Sequence, residues 1–232
     1  MKFTNWKKYG FEFLSIFIAV ISAFALNNWN DNKRDGEAEK RIITEIANGL
    51  EKDIEDIRIN KGGHEEGIKS CAFWRKVVQN KEVNLDTLTQ HYFNITRDYI
   101  SIQNVSGYET LKSRGLELLK SDSLRTAIIS IYEYDYNTLR KFEEEYFEMQ
   151  FHNNYFKEIN DLLAPSLQFD ENGNIAGIDL PLKLTETEKN IFLTYLWKIQ
   201  TNRRFILFFY SEVENKVNAV LERIKMEKAG NI

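Results

Sequence analysis

The sequence predicts an all-α chain: an N-terminal transmembrane helix followed by a bundle of long helices, with at most one small β-hairpin near 169–184. Three observations carry this. Residues 11–26, FEFLSIFIAVISAFAL, form the one membrane-grade apolar run. Downstream, apolar residues recur at spacings of three and four through stretches that are otherwise charged. Only two prolines, Pro165 and Pro181, occur in 232 residues, and 13 % of the chain is aromatic, which suits long helices with large packing side chains. The chain divides into a short basic N-terminus (1–8), the span (9–30) and a helical-bundle domain (31–232).

At ~1.5 Å per residue, 11–26 reaches about 24 Å and Tyr9 to Trp29 about 30 Å, the thickness of a hydrocarbon core. Trp6, Tyr9 and Trp29 suit the headgroup level, where an amphipathic ring keeps one edge wet. Glu12, Ser15, Ala19 and Ser22 follow spacings of three, four and three, and Ser15, Ala19 and Ala23 form a small-xxx-small ladder. Phe13, Phe17, Val20, Ile21 and Phe24 cover much of the rest. Small residues let a second helix approach closely, although Ser and Ala are also common in spans that pair with nothing. Glu12 has two readings. It sits at headgroup depth beside Lys7 or Lys8, or it faces a pore or a partner helix, because a carboxylate at the bilayer centre costs about 2.5 to 3.5 kcal/mol. Ala23-Phe24-Ala25 imitates a signal-peptide cleavage site, but the acidic residue and the flanking Trp residues favour a retained span. An in-plane surface helix would need several charges on its polar face, and only Glu12 is there.

Lys and Arg total 31 against 35 Asp and Glu, a net charge of -4 that argues against nucleic acid as a partner. The lone Cys71 makes no intrachain disulfide, and no Cys/His framework for zinc is present. Lys2, Lys7 and Lys8 precede the span, and Lys33, Arg34, Lys40 and Arg41 follow it. This near balance leans toward a cytoplasmic N-terminus, because long domains translocate largely regardless of charge.

After the span, Ile43, Ile46, Leu50, Ile54 and Ile57 predict an amphipathic stalk helix from Asp35 to about Asn60, with Gly36 loosening its junction and Lys61-Gly62-Gly63 ending it. A second helix is expected over 64–80 and a third over 85–99. Ser106-Gly107-Tyr108-Glu109 reads as a capping box opening a short helix. From Ser123 to about Leu163 the pattern predicts one long helix that bends or breaks near Asn153-Asn154 and stops before Pro165. Residues 169–184 change character. Asp170, Asn172, Gly173 and Asn174 favour a turn between two short strands, and the calcium-loop pattern is absent. Thr185-Glu186-Thr187-Glu188 is a second capping box, opening a final helix to about Lys228. Within it residues 205–210, FILFFY, are apolar all round. Core burial is the first reading, subunit contact through Phe205, Phe208 and Phe209 the second and membrane contact the third, with Arg203 and Arg204 marking a polar edge.

Asn27-Asn28-Trp29-Asn30, closing a span that an acidic residue opens, resembles a bacterial family of small single-span membrane proteins classed as a domain of unknown function. Gly107-Tyr108-Glu109-Thr110-Leu111-Lys112-Ser113 and Ser123-Leu124-Arg125 add to the resemblance, which covers mainly residues 9–60 and 105–140. It implies an inner-membrane anchor carrying a helical domain, and no catalytic residue. The family's span is richer in Gly and aliphatic residues than this one, which has four Phe between positions 11 and 24.

No catalytic, cofactor or metal motif stands out. None of His64, His91 and His152 has Glu three residues before it, and Ile68 stands where a zinc-protease helix beginning at His64-Glu65 needs its second imidazole. The acidic cluster Glu143-Glu144-Glu145-Glu148 near His152 reads as a solvated helix face. The expected function is a membrane-anchored interaction or sensor/scaffold module that self-associates as a homo-oligomer, with the lipid bilayer as its other partner. The alternative is a small oligomeric channel or membrane-active effector with a pore lined from Glu12 to Ser22. An enzyme assembled across the bundle is a third class. The expected location is the bacterial inner membrane, single-pass, with the helical domain periplasmic.

Overall fold

The computed structural model describes residues 4–230. Lys2 of the basic N-terminus and the side chain of Lys7 lie outside the described residues. Helix α1 runs from Thr4 to Val78 without interruption, 75 residues and about 110 Å. Its first part contacts nothing else in the described chain, and from Ala38 onward one face is buried through Ile42, Ile43, Ile46, Leu50, Ile54 and Ile57, continuing to Cys71, Trp74 and Val77. The span, the stalk and the predicted second helix are therefore one element. Gly36 does not loosen it and Lys61-Gly62-Gly63 does not end it. Glycine lowers helix propensity by only ~1 kcal/mol, which a buried face of this length outweighs.

Two of the glycines in α1 answer a packing need instead. A Cβ on Gly63 would lie 2.2 Å from the Tyr99 ring, and one on Gly67 would lie 2.3 Å from Arg203 Nε. A glycine that breaks a helix and a glycine that admits a neighbour look the same in sequence.

Helix α2 covers Leu88–Thr96 after a single 3-10 turn, Leu85–Thr87, which the Asn84 side chain caps by accepting from the Asp86 amide at 2.9 Å. It stops three residues short of the expected end. Helix α3, Ser106–Arg114, lacks the expected capping box: Val105 precedes it with no side-chain cap, and the Glu109 amide donates to the Val105 carbonyl. The position of α3 is set by Gly107, where a Cβ would lie 2.8 Å from the Ile46 backbone nitrogen.

The single helix expected over 123–163 is instead several segments. Helix α4 (Asp122–Ile129) passes through a π-helical stretch, Ser130–Asp135, into α5 (Tyr136–Arg140), and a second π-helical stretch, Lys141–Glu145, follows. The chain then turns at Tyr146, and α6 (Phe151–Leu163) begins beyond a 3-10 turn. The break thus precedes Asn153-Asn154, which lie inside α6. A distant residue fixes it, because Asp98 accepts from the Phe151 and His152 amides at the start of α6 at 2.7 and 3.4 Å. Pro165 follows the end of α6, as expected.

Strands β1 (Leu167–Phe169) and β2 (Ile175–Ile178) pair antiparallel as the small hairpin. Asp170 Oδ1 accepts from the Asn172 and Asn174 amides at 2.9 and 2.8 Å, and Gly173 adopts φ +81°, an ordinary turn. Helix α7, Glu186–Gly230, opens with the predicted capping box: the Thr185 amide donates to Glu188 at 2.7 Å, and the Glu188 amide donates to Thr185 Oγ1 at 3.3 Å. It runs antiparallel to α1, as Arg58 and Lys61 pairing with Glu214 and His64 meeting Arg203 show. The shorter helices cover the flanks of this α1–α7 pair.

Candidate functional site

Two features outside ordinary packing stand out: the bare segment of α1 and a polar seam buried between α1 and α7. The first is apolar, long enough to cross a membrane and unburied within the chain. Trp6, Tyr9 and Trp29 are exposed at its ends, with Lys33 Nζ 5.9 Å from the Trp29 ring centroid. Glu12, Ser15, Ala19, Ser22 and Ala23 are all exposed and, at 100° per residue, fall within an arc of about 100°. Ser15 Oγ donates to the Glu12 carbonyl at 2.9 Å, so its hydroxyl is satisfied within the helix.

The seam is what sequence reasoning missed. Arg203 is not on a polar edge: it is fully buried, whereas Arg204 beside it is exposed. Its guanidinium donates to the carbonyls of Asn94, Ile95 and Arg97 at 3.2, 3.1 and 2.8 Å and to His64 Nδ1 at 3.1 Å, and lies 4.2 Å from the Phe151 ring centroid. These are the carbonyls left unpaired at the end of α2, so a positive group there also meets the negative end of the helix dipole. That explains why α2 stops where it does. Burial lowers the pKa of Arg203 to about 10 and, with the neighbouring guanidinium, lowers that of His64 to about 3. His64 is therefore a neutral acceptor at Nδ1.

Beyond Arg203, residues 97–105 lie along α1 and three carboxylates grip their amides. Ser101 donates through its amide and hydroxyl to Glu143 at 3.1 and 2.9 Å, Ile102 through its amide to Asp56 at 2.9 Å, and Asn104 through its amide to Asp53 at 2.8 Å. The Tyr136 hydroxyl donates to Asp53 at 2.7 Å, and Tyr210 donates to Glu143. Burial raises the carboxyl pKa of both Asp53 and Glu143 against the pull of these donors. Glu143 thus leaves the solvated face assigned to its cluster, while Glu144 and Glu145 are exposed and Glu148 pairs with Lys198 at 2.8 Å. The second π-helical stretch turns Glu143 inward, and no sequence signal marks such a stretch.

Most polar contacts of this seam hold backbone groups, while Tyr136–Asp53, Tyr210–Glu143 and Arg203–His64 join side chains, and His64 Nε2 and Arg203 Nε are buried without a hydrogen-bond partner among the described residues. The Cys71 thiol is buried, its pKa raised to about 11 by desolvation. Among the described residues, no group of three His, Cys, Asp or Glu side chains could hold a metal ion.

The residues expected at a soluble-domain interface divide. Ile206 and Tyr210 point into the core, Phe209 is half-buried against Phe142, and Phe205 and Phe208 are exposed. Burial all round 205–210 is therefore met on one side only.

Fold and surface together define a helical bundle carried on a helix that is long and apolar enough to cross a membrane near its N-terminal end. No family model, curated protein or solved structure matches the chain.

Proposed function

We propose that this chain is a membrane-tethered interaction or scaffold module that self-associates, with no catalytic role assigned to any of its residues. The observation that carries the reading is the continuity of α1: one helix passes from a bare apolar segment into the core of the bundle, so the segment and the bundle turn as one body. The exposed small residues on one side of that segment, and the exposed Phe205 and Phe208 far from it, supply surfaces for other copies. In this reading residues 9–30 form a single-pass anchor in a bacterial inner membrane, with the N-terminus cytoplasmic and the bundle periplasmic.

The test uses full-length protein. It should resist alkaline extraction from membranes and run in neutral detergent as an oligomer that weakens when Ser15, Ala19 and Ala23 become Leu. A protein released by alkali, or a strict monomer at every concentration, would remove the reading. Glu12 on the face of Ser15, Ala19 and Ser22 supports the second reading, an oligomeric channel. There, planar-bilayer conductance should change with Glu12→Gln, and absent or unaltered current eliminates it.

A further inference from the structure

The exposed aromatic face of α7 points to a particular occupant. Phe142 has its ring centroid 5.3 Å from Phe205 and 4.5 Å from Phe209, Phe208 lies 5.5 Å from Phe209, and Tyr146 lies 6.1 Å from Phe142. A groove beside Phe208 and Phe209 extends this cluster to Tyr134. Tyr134, Tyr146, Phe205 and Phe208 are 65, 46, 43 and 61 % exposed. At ~200 Å² per aromatic side chain these four leave about 400 Å² of ring surface in water. A stable interface of ordinary size takes roughly 800 Å² from each partner, of which about 450 Å² is non-polar. The patch matches that apolar share, and it is rimmed by charges of both signs in Lys141, Glu144, Arg204 and Glu212, as a self-complementary contact requires.

The position of the patch argues against lipid. His64, which touches Arg203 and Tyr210, lies 35 residues beyond Trp29, about 50 Å along a straight helix. Helical phase separates the patch from the small-residue face of α1. Ala19 and His64 are 45 residues apart, twelve and a half turns, so they point in opposite directions, and His64 is the side that meets α7. On α7, Phe208 is 200° from both Ile206 and Tyr210, the buried side. The small residues of α1 and the aromatic face of α7 therefore lie on opposite flanks of the molecule, and no single twofold contact uses both.

We propose that the aromatic face of α7 docks a second copy of this chain in the same membrane, at an interface separate from any contact between spans. This rests on the self-association reading above and names its surface. Two copies anchored with the same orientation meet about an axis along the membrane normal, so their α7 helices run parallel. With span pairing on the other flank, such contacts link copies into a row rather than a closed pair.

The experiment takes full-length protein in phosphatidylcholine/phosphatidylglycerol vesicles, with single cysteines placed at Phe205, Phe208 and Glu212 and, on the small-residue flank of α1, at Thr44. Native Cys71 is buried and serves as background. Oxidation should give disulfide-linked dimers from at least one α7 position, surviving dilution with empty vesicles. In detergent, the double variant F205E/F208E should have a smaller assembly mass with unchanged circular dichroism and melting. Cross-linking from Thr44 alone would overturn the aromatic contact and leave self-association standing. No cross-link at any position, together with a monomeric mass, would overturn both. A double variant with unchanged mass but altered vesicle binding would assign the patch to lipid and overturn the proposal.

Discussion

Gly62 and Gly67 sit little more than a turn apart in the same helix, and changing each to Ala should move stability in opposite directions. At Gly62 an added Cβ meets nothing within 4 Å, so Gly62→Ala contributes only the gain in helix propensity, about 1 kcal/mol. At Gly67 the same Cβ would lie 2.3 Å from Nε and 2.5 Å from Cζ of Arg203. That side chain is fully buried and held by three backbone carbonyls, so it cannot swing into solvent. Overpacking costs about 1 to 3 kcal/mol. Losing even one charge-assisted bond to a buried carbonyl adds about 1.5 to 3 kcal/mol. After the same propensity gain of about 1 kcal/mol, Gly67→Ala should destabilise by about 3 kcal/mol. The two variants should then differ by roughly 4 kcal/mol, a shift of about 1 M or more in a urea midpoint. Unfolding in neutral detergent, followed by the fluorescence of buried Trp74, reads this directly. Equal effects of the two substitutions, or stabilisation by Gly67→Ala, would refute the account of why glycine stands there.

Three further outcomes follow from the seam and the caps. Arg203→Met keeps much of the volume but leaves the carbonyls of Asn94, Ile95 and Arg97 unpaired, so amide exchange in residues 97–105 should rise with a loss of about 3 kcal/mol, and unchanged exchange there would count against Arg203 as the clamp. Burial raises the native pKa of Glu143 above its unfolded value, so the stability this group contributes is present at low pH and lost as pH rises through the native value; Glu143→Gln, which cannot ionise, should therefore gain on the parent chain as pH rises above the ordinary carboxylate value in urea titrations, and the opposite trend would sink the assignment. Thr185→Ala removes the acceptor of the Glu188 amide and should lower stability by about 1 kcal/mol in the same assay, with fraying confined to the first turn of α7.

Much of the fold was legible because it follows local rules. The apolar run, the three-and-four spacing of Ile43 to Ile57, the turn at Asp170 to Asn174 and the capping box at Thr185 each need only nearby residues. The errors share one cause. Gly62-Gly63 read as a break because the Tyr99 side chain that Gly63 admits comes from elsewhere in the chain, and nothing near Gly67 announced the Arg203 side chain it admits. Ser106 read as a cap, yet Gly107 packing on Ile46 placed the helix. Arg203 read as a polar edge because sequence reveals its charge and not the carbonyls waiting at the end of α2.

From the sequence alone came the class of the molecule: an apolar segment long enough to cross a membrane, followed by amphipathic helices, because hydropathy and periodicity are properties of neighbours along the chain; that the apolar segment is bare came from the structure. Only the tertiary structure decided that span and stalk are one rod, that a buried arginine and three carboxylates lock residues 97–105 against it, and which half of 205–210 faces outward. Those outcomes depend on distant partners that satisfy most of the buried polar groups, Arg203 Nε and His64 Nε2 excepted, and such partners are set in space rather than in sequence.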